Sequence, residues 1–121
     1  MVDESTTSEL CGECGKVLTA GDELYALVRD SSVVHRRDPQ LDGQRLVVAC
    51  GPQHLEVLEQ EYARRPWSDE ELWAGQLTRA LTERTPQHRR LSTAELAIAS
   101  GLSRTQIDRA LAWHNRHRRR L

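Results

Sequence analysis

Cys11-Gly-Glu-Cys14, answered 35 residues later by Cys50-Gly-Pro-Gln-His54, constrains this chain more than any other feature. Two thiols at Cys-x2-Cys spacing can face one tetrahedral ion from a tight turn. A Cys and a His four residues apart at a helix start can complete the set. The pattern predicts a structural zinc site held by Cys11, Cys14, Cys50 and His54, with His35 as the alternative fourth ligand. Four protein ligands close the shell, so the ion is expected to stabilise and not to catalyse. Buried free cysteines and a redox pair are the competing readings. The second needs a βαβ setting that the pattern lacks.

A metal would meet a need. With 121 residues, 38% hydrophobic and no phenylalanine, the chain offers either half little core, and units of about 60 residues usually borrow stability from a metal, a disulfide or a partner. An odd cysteine count and no signal-like segment over Met1–Leu10 point to a cytoplasmic protein. No apolar run approaches membrane-spanning length.

Charge divides the chain. Met1 to Glu61 carries 5 basic and 12 acidic residues, and Tyr62 to Leu121 carries 12 basic and 6 acidic. The acidic half repels polyanions and suits a protein partner or a homodimer contact. The basic half has the footprint of a binder of double-stranded DNA.

The expected organisation is small α+β. Residues 1–9 form a polar, disordered start. Residues 10–65 form a metal-binding domain, with a Cys11–Lys16 knuckle, a hairpin from Leu24–Arg29 to Val33–His35, a buried strand over Leu46–Ala49, and a helix opened by Gly51-Pro52 whose stripe is Leu55, Leu58 and Tyr62. Residues 66–121 form a helical domain with a basic tail. Three serine caps, each three residues before a Glu or Gln, start its helices: Ser68 with Glu71, Ser92 with Glu95, Ser103 with Gln106. The first helix is expected over Asp69–Arg84, burying Leu72, Trp73, Leu77, Ala80 and Leu81. The second spans Thr93–Ser100 with Leu96, Ala97 and Ile98 inward. On the third, Ile107 fixes the inward direction and brings Ala110, Leu111 and His114 with it.

The order knuckle, hairpin, strand and ligand-bearing helix resembles the treble-clef class of zinc fingers. HNH-type nucleases are built on that class, and Val34-His35, Asp42-Gly43, Leu46–Cys50 and His54 are similar to their pattern, which would make His35 a general base. Val34 and Arg45 stand where that family has Asp and Asn, so the metal ligand and the base-orienting group are missing and no enzyme is expected. Leu96-Ala97, Gly101-Leu102, Ile107 and Ala110-Leu111 resemble the helix-turn-helix of DNA-binding regulators, with Ser100 in a usually apolar position. The resemblance implies Ser103, Thr105, Gln106 and Arg109 in the major groove, and Arg116, Arg118, Arg119 and Arg120 on phosphates. The whole chain, with Arg65-Pro66-Trp67, Glu71-Leu72-Trp73 and Trp113-His114-Asn115, looks like small actinobacterial proteins that fuse such a finger to a helical domain. These features make a zinc-stabilised, DNA-binding transcriptional regulator the expected function. A protein-interaction adaptor is the alternative, and a degenerate nuclease a more distant one.

Overall fold

The computed structural model describes residues 9–19, 21–83 and 90–117. Among the described residues it is a small α+β fold with two two-stranded antiparallel sheets and four α-helices. By its contacts it divides into two units, Met1–Asp30 with Gln44–Pro66, and Ser31–Gly43 with Trp67–Leu121. Residues 1–8 of the expected disordered start, Arg84 of the expected first helix of the basic half, and Arg118–Arg120 of the basic tail lie outside the described residues.

In the first unit, β1 (Glu9–Leu10) pairs with β2 (Val17–Leu18) across the Cys11–Lys16 turn. Strand β3 (Leu24–Arg29) pairs with β4 (Gln44–Ala49) in the register Leu24↔Ala49 to Arg29↔Gln44. The side-chain period of two turns Val28, Val47 and Ala49 inward. They meet Cys11, Leu18 and Leu58, with Leu55 and Tyr62 at the margin. The stripe Leu55, Leu58, Tyr62 lies on α1 (Pro52–Arg64), whose first position is proline, where a missing N–H costs nothing. Asp30 and Arg45 tie the far end of the sheet through a 2.7 Å ion pair.

The return strand differs from expectation. Val33–His35 do not pair with β3; β4 does, and it begins at Gln44. The intervening Ser31–Gly43 belongs to the second unit, where local polar bonds hold it. Ser31 Oγ donates to the Glu71 carboxylate (2.6 Å) and accepts from Ser68 N–H (3.1 Å). Asp42, its side chain 4% exposed, receives Arg79 in a bidentate pair (2.6 and 2.9 Å) and an amide N–H from Gln76 (2.9 Å). Val34 lies so close to α2 (Asp69–Thr82) that a Cβ on Gly75 would come within 2.5 Å of its Cγ2.

Around α2, helices α3 (Thr93–Ser100) and α4 (Arg104–His117) pack through Ala74, Leu77, Leu102, Ile107 and Ala110, with Trp73, Leu96, Ala97 and Trp113 partly buried. All three serine caps form, since Ser68, Ser92 and Ser103 accept from the N–H of Glu71, Glu95 and Gln106. The reciprocal bond is complete at Ser92 and Ser103. At Ser68 its place is taken by Ser31, which serves the free N–H and draws Glu71 away. Four inward assignments fail. Ile98 is 83% exposed, Leu111 and Leu81 are exposed, and so is His114. No residue of α3 is fully buried; Leu96 and Ala97 pack at the margin of the core, and the next position, Ile98, turns to water. On α4 the core is met by Ile107 and the fully buried Ala110, with Trp113 at its margin.

Candidate functional site

The Cys11–Lys16 turn is built by backbone bonds. Cys11 N–H donates to Lys16 O, Gly15 N–H to Cys11 O and Gly12 N–H to Val48 O, all at 2.9 Å. Gly15 carries a φ of 77°, a left-handed conformation that glycine adopts without Cβ strain. The last bond joins the turn to β4, which delivers Cys50, and one helical turn later α1 delivers His54. The four ligand atoms lie within 4.8 Å of one another. Cys14 Sγ is 3.9 Å from Cys50 Sγ, while His54 Nδ1 is 3.7 Å from Cys11 Sγ and 3.2 Å from Cys50 Sγ. A tetrahedron with metal–sulfur bonds near 2.3 Å and metal–nitrogen bonds near 2.0 Å has edges of about 3.5–3.8 Å, so these spacings bracket a shared ion. All three cysteines are free thiols, and the 3.9 Å sulfur pair is not a disulfide. The donor set therefore fits a metal, with His54 and not His35 as its fourth member.

Electrostatics at the sulfurs agree. Burial pushes the Cys11 thiol up, but N–H groups of Cys14, Glu13 and Cys50, together with His54, outweigh it and bring it down to about 5. Burial raises Cys50, and the neighbouring Cys11 and Cys14 raise it further. Cys11 is thus favoured as thiolate, and the negative charge that opposes ionising Cys50 is what a cation relieves.

His35 stands apart in the second unit. Its Nδ1 accepts from the N–H groups of Arg37 (3.1 Å) and Asp38 (2.8 Å), which leaves the ring proton on Nε2. Among the described residues, Cys11, Cys14, Cys50 and His54 are the one grouping of three or more candidate metal ligands.

The residues expected to read bases sit on α4 and the turn before it. Ser103, Arg104, Thr105, Arg109 and Arg116 are exposed. Their side chains are less free than the helical pattern suggests. Gln106 Oε1 accepts from Ser103 N–H (2.9 Å) as half of the helix cap. The Arg109 guanidinium is held by the Glu70 carboxylate and lies over the Trp73 ring, 5.1 Å from its centroid. Arg104 faces Asp108 one turn away. Trp113 packs at the core margin and stacks on His117, their centroids 4.2 Å apart. The helical period showed which residues face outward, and the cap spacing paired Ser103 with Gln106; Glu70 carried no signal that it would engage Arg109. No protein-family model, no curated protein and no solved structure matches the chain.

Proposed function

We propose that the chain is a zinc-stabilised protein that binds double-stranded DNA and acts as a transcriptional regulator. In this reading Cys11–Arg65 is a treble-clef finger and α3–turn–α4 is a helix-turn-helix. The observation that carries it is the corner between the last two helices. Gly101 takes the left-handed conformation (φ 78°) that closes α3, Leu102 and Ile107 are buried on either side, and the N-terminal end of α4 stands exposed with Ser103, Arg104 and Thr105. That disposition suits a helix entering the major groove by its first turns, with Arg116 on the phosphate side.

Zinc is the ion that three thiolates and an imidazole at tetrahedral spacing favour. When bound it supplies a fixed crosslink between turn, strand and helix. Cys11, Cys14, Cys50 and His54 would hold it, and their closed shell leaves no position for substrate.

A second reading, a protein-docking adaptor, is favoured by one observation: Gln106 and Arg109 already have partners within the fold. One experiment separates the two. Binding to mixed duplex fragments across a salt series should show log K falling steeply with log[salt], and Arg116→Ala should flatten that slope by about one contact. Affinity that is absent or indifferent to salt rejects the regulator and leaves the adaptor.

A further inference from the structure

An antiparallel sheet with one face on the core ordinarily presents polar side chains to water on the other. The β3–β4 sheet does not. Its core-side residues include Val28, Val47 and Ala49. Its opposite face carries the directly opposed pairs Tyr25↔Val48 and Leu27↔Leu46. Tyr25, Leu27 and Leu46 are 51%, 53% and 63% exposed. Among the described residues Val48 is half-buried at the core margin, while Tyr25, Leu27 and Leu46 take no part in the core on the far side of the strands. Adjacent large apolar side chains left in water at the centre of a sheet mark a contact surface.

The chemistry of the occupant follows from the charge around this face. Tyr25 O–H donates to Glu9 Oε1 (3.4 Å). Burial and then the carboxylates of Glu9 and Glu23 push the Tyr25 hydroxyl above its ordinary range, so negative potential gathers at that end of the sheet. The unit as a whole, residues 1–30 with 44–66, carries 5 basic and 10 acidic residues. A polyanion is repelled, and a second copy meeting this face with its own equivalent face would set like charges against each other. We propose that the Tyr25–Leu27–Leu46–Val48 face docks a segment of a partner protein that presents apolar side chains beside lysine or arginine, its basic end at Glu9 and Glu23. This surface goes beyond the DNA-binding reading and stands or falls separately from it.

The test uses the full-length, metal-loaded protein and two synthetic peptides with identical leucine spacing, one with lysines and one with glutamates between the leucines. Backbone NMR shifts should move at Tyr25, Leu27 and Leu46 with the lysine peptide and stay put with the glutamate peptide. The double variant Leu27→Thr/Leu46→Thr, which places strand-favouring β-branched residues at both positions, should weaken the lysine peptide about tenfold or more. Glu9→Gln/Glu23→Gln disturbs no apolar contact and should weaken it too, with less dependence on salt. Metal content and duplex binding, measured in parallel, should be unchanged in both. Equal binding of the two peptides, or unaltered binding by both variants, overturns the proposal. So does sedimentation showing a parent dimer that Leu27→Thr/Leu46→Thr converts to monomer, because the occupant is then another copy of the chain.

Discussion

Cys14 and Asp42 each belong to a small polar cluster that joins separate stretches of the chain, Cys14 with Cys11, Cys50 and His54, and Asp42 with Gln76 and Arg79. For Cys14→Ser, the purified protein should lose its bound ion, read by metal analysis, and the first unit should lose its cooperative melt, because ligand binding in such a unit is folding free energy of order 10 kcal/mol. Asp42→Asn should cost the second unit about 3–5 kcal/mol by leaving Arg79 uncompensated, read by urea unfolding. The pH dependence has a definite sign. Burial raises the Asp42 carboxyl, but bonds from Arg79, Gln76 and His35 N–H overcome that and hold it below its ordinary value. Its contribution is therefore complete above the unfolded value of about 3.9. It is lost as pH falls through the lower folded value, where Asp42→Asn should show no further loss. The four metal ligands were legible in the sequence because thiol and imidazole chemistry leaves few uses for that spacing. The Asp42–Arg79 pair was not, since 37 residues separate two ordinary charges and no periodicity links them.

The caps and corners of the helices were the most readable elements, because a serine cap or a left-handed glycine acts within one turn. Gly101→Ala should cost about 1–2 kcal/mol through its positive φ, seen as a melting temperature several degrees lower. Gly75→Ala tests close approach instead of backbone strain. Its Cβ would press on Val34, so the Ser31–Gly43 segment should loosen, measured as faster amide exchange at His35 and Gly43 while α3 and α4 keep their protection. Strand pairing was harder to read. Val33–His35 is the nearest β-branched run to β3 and made the natural local partner, yet β4 won with a six-pair ladder and two inward side chains, Val47 and Ala49. Ile98 and Leu111 were misread for a related reason, since apolar type predicts burial only where a neighbouring helix remains to cover it.

For the whole molecule, composition announced two electrostatically distinct parts, and contacts draw the line between them in a different place from the chain order. All three tryptophans, Trp67, Trp73 and Trp113, belong to the second unit, while Tyr25 and Tyr62 belong to the first, so each can be followed separately. Chelating the metal should abolish ordered signal from the tyrosines. It should also lower the tryptophan-reported melt by about 4–8 °C, because the Ser31–Gly43 loop then loses the β3–β4 pairing that closes its two ends, at an entropic cost of order 1 kcal/mol. Two transitions that move together under chelator but not under Asp42→Asn would bear this out; an unmoved tryptophan melt would contradict it.

That loop also limits how the gene can be rearranged. A fragment ending at Pro66 carries Val34 and Asp42 away from Gly75 and Arg79, and one beginning at Trp67 leaves the same helix bare where they belong. Recombination or domain grafting must therefore move two separate stretches of coding sequence to transplant either unit intact, and a single crossover between them yields two incomplete proteins.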